Sequence, residues 1–272
     1  MTLRVTILGS GSSGGVPRVG GDWGLCDPNE PRNRRTRCSL LVEQWQGEAE
    51  PENSEKTVIL IDTSPDLREQ LLAAKVTHID ALLYTHDHAD QSHGIDDLRA
   101  IAYRMRTRIP VYMDTLTKHV LFKRFDYCFE MPEGRIHPAI LELKELFKSK
   151  DRFIIEGAGG HVDIIALGLS HGVGPSFGFK INDTISYTPD VLDIESDVLD
   201  LIKGSQTWIC DALRYNRSPS HANVDKAVMW QAYTCVADMI LTNLHVDMDY
   251  TILSNELLPS QSLAYDGRRI VF

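Results

Sequence analysis

Residues 84–94 read YTHDHADQSHG, which sets His86, His88 and His93 beside Asp87 and Asp90 directly after the apolar run 81–84. That run reads as a buried strand delivering a loop to one end of a sheet. Imidazole offers a neutral nitrogen and aspartate a hard oxygen, so the loop suits a divalent zinc, manganese or iron ion. A lone histidine on an apolar face would more often be a hydrogen-bonded core residue, but here the donors are crowded. The cluster points to a metal.

A metal site draws ligands from the ends of several strands, which singles out three further residues. His171 closes the apolar run 164–170, Asp190 follows the strand-like run 184–189, and His245 stands three residues past the run 239–242. His221, in SPSHAN just ahead of a helix, is a candidate general acid. An imidazole that titrates near neutrality can protonate a departing alkoxide, the alternative being a helix-capping or surface histidine. His78, His119, His137 and His161 lack such context. Arg32, Arg34, Arg35 and Arg37 form the one dense basic cluster, and Arg34 and Arg35 are the candidates for holding a substrate phosphate. Guanidinium binds phosphate bidentately, though a solvated face or internal pairing would equally explain the cluster.

The elements that must position these residues alternate along the chain. Strands are expected at 3–8, 39–42, 57–61, 81–84 and 109–113, with helices at 64–75 and 116–125 and a helical face through Leu98, Ile101, Ala102 and Met105. Residues 126–150 read as an insertion. Four strand-like runs follow at 153–155, 162–169, 177–181 and 184–188, then helix 194–202, strand 207–210, helix 223–235 and strand 239–242. The second half thus repeats the organisation of the first. One four-layered αββα domain of the α/β class, spanning 1–272, explains the pattern better than two domains. Residues 9–14 spell GxGxxG after a strand, but Pro17, Gly20 and Gly21 forbid the helix that a dinucleotide fingerprint must open. Those glycines are expected to serve a tight turn where backbone meets backbone, the alternative being a substrate-facing loop.

The chain of 272 residues is 43% hydrophobic, enough for a substantial core, and its formal charge of −10 disfavours a broad nucleic-acid face. The five cysteines are scattered without a CxxC pair, so reduced thiols are expected. No apolar run approaches a membrane span and the N-terminus lacks a secretory pattern, which points to the cytoplasm.

Taken together, THDHAD at 85–90, Asp62, His171, Asp190 and the late histidine region resemble the metallo-β-lactamase fold hydrolases across nearly the whole chain. GSGSSGGVPR at 9–18, NRRTRCS at 33–39, GIDDLR at 94–99 and YDG at 265–267 are similar, more narrowly, to the phosphoribosyl cyclic phosphodiesterases of phosphonate metabolism. The resemblance implies that His86, His88 and His171 bind one ion, that Asp190 bridges to a second and that Asp90 binds that second ion. It also implies that Asp62 orients the histidine loop and that His221 donates a proton. Two departures fall on the second ion: Gln91 and Asn243 stand where the family usually has histidine. His245, and less directly His93, are the expected replacements. At a third departure, Gly21, Trp23, Cys26 and Val246 replace the cysteines and histidine of a structural zinc, which is therefore expected to be absent.

The expected activity is metal-dependent hydrolysis of a small phosphate diester, such as a cyclic sugar phosphate or a nucleotide ester, with His221 and Asp90 as catalytic residues and one or two divalent ions (zinc, manganese or iron). Such an ion lowers the pKa of its water to about 7. Two alternatives stand beside it: an endonuclease resembling the tRNA 3′-processing enzymes, and a non-catalytic metal- or nucleotide-binding relative with a degraded second site. No long nucleic acid and no membrane is expected as partner, and a homodimer is compatible with the sequence.

Overall fold

Side-chain alternation gives the inner strands of the first half two apolar faces. In the computed structural model, which describes residues 1–131, 134 and 136–272, this half forms Thr2–Gly9 (β1), Ser39–Trp45 (β2), Thr57–Ile61 (β3), Ala81–Leu83 (β4), Ile109–Met113 (β5) and Leu141–Leu146 (β6). Val5, Ile7, Leu40, Val42, Ile59 and Ile61 point inward to the central core, whereas Leu41, Val58 and Leu60 point outward. The outer face is covered by Leu67–Ala74 (α1), Ala89–Ser92 (α2), Arg99–Met105 (α3), Thr115–Arg124 (α4) and Asp126–Phe129 (α5), through Leu67, Leu71, Ala102, Leu121 and Phe129.

The second half repeats the plan. Its strands are Arg152–Ile155 (β7), Val162–His171 (β8), Gly174–Ile181 (β9), Ile185–Thr188 (β10), Thr207–Asp211 (β11), Asp238–Thr242 (β12) and Gln261–Leu263 (β13). Ile164, Phe179, Ile181, Ile209 and Ile240 complete the inter-sheet core. On the other face, Trp208, Cys210 and Met239 pack under Ser196–Ile202 (α6), Val224–Thr234 (α7) and Tyr250–Glu256 (α8). Each fully buried Leu, Ile or Phe contributes about 1.5–3 kcal/mol, so the layers cohere through their apolar faces. The last strand, Arg268–Val271 (β14), crosses back to pair with β1, tying both halves into the single αββα domain expected.

Each sheet is half antiparallel and half parallel. The orders are β14-β1-β2-β3-β4-β5-β6 and β13-β12-β11-β10-β9-β8-β7, with β3 to β6 parallel in one and β10 to β13 parallel in the other. Crevices for ligands form outside the carboxyl ends of parallel strands. Asp62 after β3, Thr85 and His86 after β4, Asp190 after β10, Asp211 closing β11 and Asn243 after β12 all stand at such ends.

The differences from expectation are local. Residues 126–150 are no detached insertion, because they supply α5 and the edge strand β6; residues 132, 133 and 135 lie outside the described residues. The first helix opens at Leu67 rather than 64, since the Ser64 hydroxyl accepts from the Asp66 N–H in a turn of its own. No helix follows β1 before the short 3-10 turn Pro31–Asn33. Gly9 and Gly11 instead let backbone approach backbone: a Cβ on Gly9 would lie 1.9 Å from the Arg37 carbonyl oxygen. Among the described residues no helix is long and apolar enough to cross a membrane.

Candidate metal centre

Asp62 anchors the histidine loop. Its buried carboxylate accepts from the Thr85 backbone N–H and from the Thr85 hydroxyl, both at 2.8 Å. Thr85 Oγ1 also lies 3.0 Å from His86 Nδ1. Because the hydroxyl proton goes to Asp62, the oxygen accepts from Nδ1–H, and His86 Nε2 is left with a bare lone pair. That nitrogen is buried and has no hydrogen-bond partner. An orphaned buried group costs about 1–3 kcal/mol, which a ligand would recover.

His171, the last residue of β8, is prepared in the same way. Its Nδ1 sits 2.7 Å from the Ser220 carbonyl oxygen, which can only accept, so Nδ1 carries the proton and Nε2 is free. The rings of His86, His88 and His171 stand 4.5–5.1 Å apart, and one nitrogen from each lies within 4.8 Å of the others. His86 and His171 are buried while His88 is exposed, so the cluster opens to solvent on the His88 side. Burial, and then the neighbouring rings, push His86 well below the usual imidazole range; burial and His221 take His171 down to about 4. Both are neutral at pH 7, the form that a metal requires. The bare nitrogens of His86 and His171, with the His88 ring converging on them, fit a divalent ion.

His221 is set apart by charge. Its ring lies 4.6 Å from that of His171, and its Nδ1 lies 2.8 Å from Asp211 Oδ2. Burial works to lower its pKa, but the carboxylates of Asp211, Asp190 and Asp90, Asp211 foremost, together raise it to about 9. Burial lifts Asp211 to about 6, so at pH 7 the two form an imidazolium–carboxylate pair. Asp211, Thr85 and Ser220 are site residues that the pattern of histidines does not reveal. For Asp211 a signal exists, since it ends its strand run as Asp62 and Asp190 end theirs.

Asp190 is buried, with Oδ1 4.0 Å from His171 Nε2 and 3.9 Å from His221 Nδ1. Gln91 Nε2 donates to Asp190 Oδ2 at 3.0 Å, and Asn243 Nδ2 lies 3.3 Å from Oδ1. Asp90, half-buried, has its Oδ2 3.5 Å from Gln91 Nε2. Among the described residues the groups close enough to share an ion are His86, His88, His171 and His171, Asp190, His221; Asp90 is in neither.

Two expected replacement ligands are not brought in. His245 turns both ring nitrogens elsewhere, Nε2 to the Arg18 guanidinium and Nδ1 to Asp247 at 2.8 Å. His93 is exposed and edges onto Phe125. The arginine pair also divides. Arg35 cannot meet a phosphate from solvent: it is 2% exposed, and its guanidinium donates to Met248 O at 2.7 Å and to Asn33 Oδ1 at 3.1 Å, strapping the loop to the chain's far end. Arg34 is exposed, with no ion pair among the described residues, and borders a cleft of about 680 Å³ shared with Arg18, Arg37 and Tyr265. Cys26 packs with Val16 and Val246 in a small apolar patch.

A family model described as a beta-lactamase superfamily domain matches residues 57–243. An octanoyltransferase of Porphyromonas gingivalis is 32% identical over 227 residues, 83% of this chain. The chain spans only 42% of the length of that curated relative. Among solved structures, a new diphosphatase from the PhnP family aligns with a TM-score of 0.86 at 29% identity, covering 100% of this chain and 98% of the other. Zinc-bound PqqB from Methylobacterium extorquens aligns with a TM-score of 0.68 at 17% identity over 98% and 99% of the two chains, a likeness of fold.

Proposed function

The chain belongs to the β-lactamase superfamily, among the metallo-β-lactamase fold hydrolases of the PhnP-like type, and from that premise we propose that it is a metal-dependent phosphoric diester hydrolase. The substrate is a small phosphate ester, a cyclic sugar phosphate or a nucleotide ester. The observation that carries this reading is the convergence of His86, His88 and His171 beside a fourth imidazole, His221, held by Asp211. The similar PhnP-family protein is a diphosphatase, which supports phosphate-ester chemistry here.

His86, His88 and His171 would hold a divalent ion, zinc, manganese or iron, with Asp190 beside them. Such an ion acidifies a bound water to a pKa of about 7 and offsets charge on phosphoryl oxygens. The remaining work falls to the chain. Asp211 fixes His221 through Nδ1, so the proton available to the leaving oxygen is the one on Nε2. Asp90, half-buried at the rim beside Gln91, is the carboxylate left to take the proton that the attacking water gives up. Arg34 would hold a second anionic group of the substrate in its cleft. The acidic net charge favours a small molecule over long RNA, and we place the activity in the cytoplasm.

Assay of an aryl phosphodiester against metal content tests the reading. Tight metal without turnover would leave a binding relative. Two variants refine it. Asp62→Asn turns an N–H toward the Thr85 donors and loosens the loop, so metal affinity measured against a competing chelator should fall by about 10–100-fold, the usual effect of disturbing a ligand's outer partner. Arg34→Ala should raise KM roughly tenfold for a substrate with a second anionic group and leave kcat unchanged, since the contact is made equally before and during reaction. An unchanged KM would remove Arg34 from the substrate site.

A further inference from the structure

Asp190 is the carboxylate that a second ion beside the triad would have to share, and its surroundings are built from N–H donors. Asn243 Nδ2 lies 2.8 Å from the Pro189 carbonyl oxygen and 3.3 Å from Asp190 Oδ1. A carbonyl only accepts, so turning the Asn243 amide over would set two acceptor oxygens against each other. Its NH₂ end is thereby fixed toward Asp190. Gln91 Nε2 lies 3.0 Å from Asp190 Oδ2 and 3.5 Å from Asp90 Oδ2, so this NH₂ faces both carboxylates that a second ion would need. Both amides are buried; the Gln91 oxygen has no partner of its own, so it is the two carboxylates, which accept, that draw its NH₂ end toward them. Of the imidazoles that could serve a second ion, His221 lies 3.9 Å from Asp190 Oδ1 but gives its Nδ1 to Asp211 at 2.8 Å, and His245 is engaged by Arg18 and Asp247.

From this arrangement we propose that the centre is mononuclear, with Gln91 and Asn243 occupying through their N–H groups the place and the carboxylate lone pairs that a second cation would take. The amides act as positioning residues: they orient Asp190 without adding charge. Each carboxylate oxygen has a further lone pair, so Asp190 remains free to face the single ion next to His171 Nε2. A cation could not enter between Asp90 and Asp190 without meeting the positive end of the Gln91 N–H dipole, while Asn243 presents another to Asp190. The inference rests on the metal reading of the triad and adds the number of ions to it.

The test is a metal count on the full-length protein. Wild-type chain is incubated with excess Mn(II) or Zn(II), desalted and analysed by elemental mass spectrometry, and the Mn(II) form is examined by electron paramagnetic resonance. The expected result is one ion per chain and the spectrum of an isolated Mn(II). Two ions per chain, or an exchange-coupled pair, would overturn the inference while leaving the triad reading intact. No ion with either metal would remove the triad reading itself, and the inference with it. The double variant Gln91→His/Asn243→His, if it folds, should rise to two ions per chain. A folded double variant that still holds one would show that the amides are not what excludes the second, again overturning the proposal.

Discussion

His86→Ala is expected to lose more than ~10³-fold in turnover of an aryl phosphodiester, because the divalent ion that His86 would help to hold is what would supply hydroxide at neutral pH, by lowering the pKa of water to about 7. His86 is the most buried of the three imidazoles, and its Nε2 has no other partner. Removing it takes away a ligand prepared by Thr85 and Asp62 and leaves His88, the exposed member, with His171. The companion readout is thermal. A ligand that binds only the folded state stabilises by about 2.7 kcal/mol at a hundred times its Kd. Added Mn(II) or Zn(II) should therefore raise the Tm of wild-type protein clearly and that of His86→Ala hardly at all. Turnover unchanged in His86→Ala would mean that the triad is not the reacting centre.

The second large effect belongs to His221, and it should depend on the leaving group. His221→Ala is expected to slow hydrolysis of an alkyl phosphodiester by about 10²–10⁴-fold, the range for losing a positioned general acid. A nitrophenyl diester should suffer far less, because nitrophenolate departs as a stable anion and needs no proton. Equal losses on both substrates would exclude proton donation and leave His221 a packing role. The proton itself can be followed in metal-free protein by NMR of the imidazole. Asp211, with Asp190 and Asp90 behind it, raises His221 to about 9 against burial, so the ring should stay protonated through pH 7 and lose its charge only as pH rises toward that value. In Asp211→Asn the pairing charge is gone while burial remains, so the titration should move to lower pH.

Much of this site can be read from residue order because its parts are local. His86 and His88 follow one strand within one loop, His171 closes another strand, and Asp62 and Asp190 each follow a β-branched run, so strand-end chemistry marks all five. The sandwich is legible for a similar reason, since period-two alternation and the repeated strand-helix order survive without coordinates. The partnerships that fail to appear join distant segments. His245 is captured by Arg18, 227 residues away, and so never reaches the triad. Arg34 and Arg35 look equivalent as neighbours, yet successive side chains of an extended loop face opposite ways, and Met248 O claims Arg35. Asp211 matters only because the loop after β11 folds back, closed by the Leu213 N–H donating to the Ala222 carbonyl oxygen at 3.0 Å, and so sets His221 against its carboxylate. Gln91 and Asn243 are visible as substitutions, but only folding reveals that both amides aim at one carboxylate.

Anomalous diffraction from crystals of the wild-type protein loaded with Mn(II) or Zn(II) tests the central claim most directly. The expected map holds one peak, bounded by His86, His88 and His171 with Asp190 at its side. A peak at His245 and Asp247, or none at the triad in a protein that turns over the diester, would contradict it.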